Sequence, residues 1–90
     1  MKEALKKFIY EKVKQATTPE RPYYFIRGTG LRELCQSYGI DILELIDEMT
    51  KEGLVKKALI NNKLAIYIYR PINRKKLETI QKEFEQFLKG

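Results

Sequence analysis

The chain contains no histidine, no tryptophan and a single cysteine, Cys35. Without histidine, and with one thiol, zinc-finger and most transition-metal ligand sets are excluded on ligand count, so no metal or other cofactor is expected. The usual general base is missing as well. Catalysis would have to rest on carboxylates, lysine or tyrosine, and no constellation of base, nucleophile and ligands can be assembled from them. An enzyme is therefore not expected. A lone cysteine cannot close an internal disulfide, which fits a reducing cytoplasm. No apolar run approaches the roughly 20 residues that a membrane helix needs. The N-terminal stretch MKEALKKFIYEKVKQA is basic, but its charges recur every few residues and leave no h-region, so it does not read as a secretory signal. P-loop, dinucleotide-turn and EF-hand patterns are also missing. Gly28-Thr29-Gly30 is too short to cradle a phosphate by itself; it reads as a loop before a helix, with Thr29 as N-cap.

What is present describes one globular domain: 90 residues, 43% hydrophobic and 33% charged, with a formal net charge of +6. The charge is unevenly placed. Residues 54–76 hold seven basic side chains and no acid. Residues 1–27 hold seven basic and three acidic ones. Residues 39–53, GIDILELIDEMTKEG, hold five acids and only Lys51. One basic face and one acidic helix follow from this distribution.

Periodicity divides the chain into short elements. Leu5, Phe8, Ile9, Val13 and Ala16 form one stripe, predicting an amphipathic helix over about 2–16. Thr17 to Pro22 ends it, and Tyr23 to Ile26 reads as a short strand. LRELCQSYG is a short helix with Leu31, Leu34 and Cys35 inward and Gly39 as its stop. Asp41 is placed to cap the next helix, with Glu44 completing a capping-box-like pair. Within that helix Ile42, Leu45, Ile46 and Met49 make a full core stripe, and Gly53 ends it. The period then becomes extended. LVKKALI and KLAIYIYR flank Asn61-Asn62, whose tolerance of positive φ suits a two-residue type I′ turn. A hairpin pairing 54–60 with 63–70 is expected, with Lys56 opposite Tyr67 and Leu59 opposite Leu64. Pro71 closes it. Asn73 then caps a last helix striped by Leu77, Ile80, Phe84, Phe87 and Leu88. That stripe either packs on the first helix or pairs with a second copy as a homodimer.

The segment ELCQSYGIDILELIDEM followed by KEGLV resembles the winged helix-turn-helix family in its small Cys35, its turn glycine Gly39, its apolar Ile40 and Leu45, and Gly53-Leu54-Val55 leading into a wing. The resemblance covers residues 1 to about 70. It implies an α+β domain over 1–72, a three-helix core with a short first strand and a β-hairpin wing, and residues 73–90 added as a C-terminal amphipathic helix. It also implies that the second helix of the motif meets the DNA major groove through Leu43, Glu44, Asp47, Glu48 and Lys51. Here the chain departs from the pattern, because four acids on one helix oppose attraction to phosphates.

Two functions follow. The first is double-stranded DNA binding, as a small transcription regulator that contacts phosphates mainly through a basic wing, with Arg27, Arg32, Lys51, Lys56, Lys57, Asn61, Asn62, Lys63, Arg70, Arg74, Lys75 and Lys76 as the candidate contacts. The second is a protein-interaction module in which Leu43, Glu44, Asp47 and Glu48 capture a basic protein partner. Each feature also has a plain structural role. Acids at a helix start meet the macrodipole, lysines protect an edge strand, and Tyr67 and Tyr69 pack across a hairpin.

Overall fold

In the computed structural model, residues 1–69 and 74–90 are described, and they form an α+β fold with four helices and one antiparallel sheet. The order is α1 (Lys2–Ala16), β1 (Tyr24–Phe25), α2 (Leu31–Ser37), α3 (Ile42–Lys51), β2 (Lys56–Ile60), β3 (Lys63–Tyr67) and α4 (Arg74–Lys89). The three strands lie in the order β1-β3-β2, so the short first strand pairs with the far strand of the hairpin. Arg70, the Pro71 strand stop, the Asn73 cap and the boundary at 72/73 lie outside the described residues.

The core is built where the apolar stripes face one another. Leu5, Ile9 and Val13 of α1 meet Ile42, Leu45, Ile46 and Met49 of α3, with Leu31 and Cys35 of α2 and Ile26, Val55 and Ile66 closing the cluster. Burying each such aliphatic side chain contributes about 1.5–3 kcal/mol. Two members of the expected α1 stripe are outside this core. Phe8 is half-exposed beneath the Lys12 ammonium, 5.4 Å from its ring centroid, and Ala16 is exposed. At the other edge of the stripe Lys6, a charged residue, is buried.

Helix ends follow local chemistry. The Asp41 carboxylate accepts from the Leu43 N–H at 2.9 Å, so Asp41 is the N-cap of α3 as its position suggests. The N-cap of α2 is Gly30 and not Thr29, because the backbone there is left-handed (φ 80°), which glycine adopts without strain. Thr29 still serves the same end. Its hydroxyl accepts from Leu31 N–H at 3.3 Å and donates to the Ile26 carbonyl at 2.7 Å. Both α2 and α3 close with the same paired bonds. Ile40 N–H returns to Cys35 O while Gly39 N–H returns to Gln36 O, and Leu54 N–H returns to Met49 O while Gly53 N–H returns to Thr50 O. This closure consumes the Leu54 N–H, which is why β2 starts at Lys56 and not at residue 54.

Asn61 and Asn62 both have positive φ, 52° and 62°, and the predicted register holds: Lys56 opposite Tyr67, Leu59 opposite Leu64. The parity of that register puts Lys57, Leu59, Leu64 and the buried Ile66 on the helix side of the sheet. Lys56, Ile60, Lys63, Ala65 and Tyr67 are on the other side, with Phe25. There Tyr67 meets Tyr23 edge to face, with centroids 5.4 Å apart.

No residue of α4 is buried, so the last helix does not complete the core. The Cα radius of gyration is accordingly 17.3 Å, against roughly 12 Å for a compact domain of this length. Ile46→Ala should lower the unfolding free energy in urea by about 2–5 kcal/mol. Leu59→Ala, at an exposed hairpin position, should cost less than about 1 kcal/mol. Equal losses at the two sites would contradict the assignment of the core.

Candidate functional site

Five acids mark residues 39–53, and four of them are already engaged within the molecule. Asp41 caps α3. Asp47, one turn and a half further along, ion-pairs with Lys57 of β2. Glu48 and Glu52 lie four residues apart on one face of α3, opposite Lys2 and Lys6, four apart on α1. Lys6 Nζ donates to Glu52 at 2.5 Å and to Glu3 at 3.2 Å, and Lys2 donates to Glu48 at 3.4 Å. Glu48 Oε2 lies 3.4 Å from Lys6 Nζ, within ion-pair reach but without hydrogen-bond alignment. Among the described residues, Glu44 alone of the five acids has neither an ion pair nor a capping bond.

The ionisation of these groups follows from their neighbours. The hydrogen bond from Lys57, with its charge, holds the Asp47 carboxyl below the ordinary aspartate range. Lys2, and after it Lys6, lowers Glu48 against the opposing effect of burial. Glu52 first, then Glu3 and Glu48, push the Lys6 ammonium above the ordinary lysine value, although burial opposes this. Burial alone raises the Cys35 thiol, which is wholly enclosed in the core and has no role at the surface.

The basic residues sort differently. Arg27, Arg32, Asn62 and Lys63 come together around one cleft of about 470 Å³ between the hairpin tip and the start of α2. Ile26, Leu59 and Leu64 also line it, and Glu33 is the one acid among its lining residues. Three elements position the rim. β1 leads into Arg27, the α2 N-terminus carries Arg32, and the type I′ turn presents Asn62 and Lys63. Among the described residues, Arg27, Arg32 and Lys63 have no ion-pair partner. Arg27 and Lys63 also border a hollow of about 280 Å³ with Phe25, Ile60 and Asn61. Arg32 reaches onward to a third hollow formed by the α2–α3 turn with Asp41 and Leu43.

Other expected contacts are not part of this cluster. Lys57 is taken up by Asp47. Lys51 is exposed at the end of α3, and Lys56 is exposed at the end of β2 away from the hairpin tip. Arg74, Lys75 and Lys76 belong to the first turn of α4. Of the acidic partner-binding set, Leu43 and Glu44 are exposed, whereas Asp47 and Glu48 are paired. The role of Lys6 was not foreseen, although the matching four-residue spacing of Lys2/Lys6 and Glu48/Glu52 was a readable signal. No family model, curated protein or solved structure matches the chain.

The ion cluster between α1 and α3 has a defined pH response. Carboxylates whose folded pKa is depressed contribute stability above their unfolded value and lose it as pH falls through the folded one. Melting temperature should therefore start to fall as pH drops below the ordinary carboxylate range, about 4, and go on falling until pH has passed the depressed folded values of Asp47 and Glu48. The raised Lys6 works at the other end. Its contribution is complete below the ordinary lysine value, about 10.4, and is lost only as pH rises through the higher folded value. Lys2→Met combined with Lys6→Met should make the acid decline shallower, because these two ammonium groups lower Glu48. An unchanged acid decline in that variant would contradict the cluster.

Proposed function

We propose that the chain is a winged helix-turn-helix protein that binds double-stranded DNA through its hairpin tip and the start of α2, as a small transcription regulator. The order α1-β1-α2-α3-β2-β3, with β1 on the outside of β3, supports the fold reading. The carrying observation is the gathering of Arg27, Arg32, Asn62 and Lys63 round one open cleft. Three side chains there carry full positive charge, and none is spent on an internal carboxylate.

The chemistry suits a phosphodiester strand. Arginine presents a planar fork of donors to phosphate oxygens, lysine a compact charge, and asparagine donors and acceptors for a groove edge. Leu59 and Leu64, which also line the cleft, offer apolar surface to deoxyribose. Duplex DNA carries one negative charge per about 1.7 Å of axis, so each cation that replaces a condensed counterion adds a salt-dependent increment of affinity. Internal pairing of Asp47, Glu48 and Glu52 removes much of the repulsion that α3 would otherwise exert. Lys51, Lys56 and the basic first turn of α4, with Arg74, Lys75 and Lys76, then provide peripheral attraction. The protein-partner reading through Leu43, Glu44, Asp47 and Glu48 draws less support, since half of its residues already have intramolecular partners.

Fluorescence anisotropy with a labelled duplex at several salt concentrations tests this. Arg32→Ala and Lys63→Ala should each weaken binding and reduce the slope of log affinity against log salt by about 1. Glu44→Gln should leave binding unchanged or strengthen it. An unaltered slope in both cation variants, or no binding by the wild type at low salt, would contradict the proposal.

A further inference from the structure

The last helix presents an unpaired apolar seam. Leu77, Ile80, Phe84 and Phe87 are spaced by three, four and three residues, the pattern of a narrow coiled-coil stripe and not of a broad core-facing one. All four are exposed, Phe87 to 78%, and no residue of α4 is buried. A helix of this length is marginal in water unless one face is covered. We infer that this seam is covered by the same seam of a second copy, with the two α4 helices antiparallel, making the protein a homodimer.

Side-chain volume favours that occupant and that orientation. With the helices antiparallel and fully overlapped, Leu77 of one copy meets Phe87 of the other and Ile80 meets Phe84, so all four layers join one aliphatic to one aromatic side chain. Parallel pairing would instead stack phenylalanine on phenylalanine in two layers and leave two small aliphatic ones. Facing large against small is the arrangement that fills a core evenly. Charge points the same way. The first turn of α4 contains Arg74, Lys75 and Lys76 and no acid, which places cations at the positive end of the helix dipole. An antiparallel mate brings its C-terminal carbonyl end, with the single Lys89, to that turn, whereas a parallel mate brings a second turn of three cations. The polar side of the helix also carries Glu78, Glu83 and Glu85, a mixed pattern that fits a protein neighbour better than an anionic lipid surface.

Sedimentation equilibrium of the whole chain in the absence of DNA reads this independently of the wing. The expected mass is twice the 10.7 kDa of one chain, falling to the single-chain mass in Phe84→Glu. Because Phe84 lies outside the core, that variant should retain the wild-type melting behaviour of the α1–β3 body. Mild oxidation then reads the orientation. Gln81→Cys should give a covalent dimer in high yield, since residue 81 of each copy lies about 3 Å along the axis from its counterpart. Arg74→Cys should not, its counterpart being roughly 24 Å away. A wild type of single-chain mass overturns the inference, whether or not it binds anionic vesicles. So does a dimer indifferent to Phe84→Glu, or equal cross-linking at residues 74 and 81.

Discussion

Lys6 occupies a place in the α1–α3 seam where an aliphatic residue would ordinarily sit, and three carboxylates hold it there. An ammonium taken out of water costs free energy unless it is paired, and Glu3, Glu48 and Glu52 supply that pairing beside the apolar contacts of α1 with α3. This constraint fixes how the two helices face each other. It thereby fixes which side of α3 is turned inward and which side reaches the sheet, where Asp47 meets Lys57. The electrostatic character of the surface follows, because these contacts leave α3 far less acidic outwardly than its composition implies.

The distribution of charge therefore has two levels. In composition, residues 39–53 are acidic and 54–76 basic. In space, one lysine of the basic segment and two of α1 pair with Asp47, Glu48 and Glu52, and three cations without an ion-pair partner among the described residues, Arg27, Arg32 and Lys63, come together at the hairpin tip and the start of α2. In the proposed function these uncommitted cations meet the DNA strand, and α3 acts as the scaffold that positions them. Lys57 illustrates the distinction: it belongs to the basic segment by sequence and to the internal ion-pair network by structure.

Much of the fold was legible because it rests on short-range rules. Asp41 caps, Gly39 and Gly53 close helices, and Asn61-Asn62 sets a hairpin register that reproduces the expected Lys56–Tyr67 and Leu59–Leu64 pairs. Each depends on residues within one turn of each other. The boundaries that slipped did so where one local demand displaced another, as when Leu54 N–H went to Met49 O and shortened β2. The candidate site was legible only in part. Arg27 and Arg32 belong to the expected DNA-binding set, but that they share a cleft with Asn62 and Lys63 depends on β1 pairing with β3 across some forty residues. Likewise, Asp47 and Glu48 read as a free acidic face because their partners on α1 and β2 lie far away in sequence or on another element. Phe8 sits at the edge of the periodic stripe, where it stays half-exposed with the Lys12 ammonium over its ring.

The most direct measurement is a titration of the isotopically labelled protein with duplex DNA at low salt, following backbone amide and Asn side-chain resonances by NMR. The expected result is that the largest shifts fall on Arg27, Arg32, Asn62 and Lys63, with Glu44, Asp47 and Glu48 on α3 moving little. Shifts concentrated on α3 with the hairpin tip unmoved, or no shifts at any residue, would contradict a DNA interface built on the wing and the start of α2.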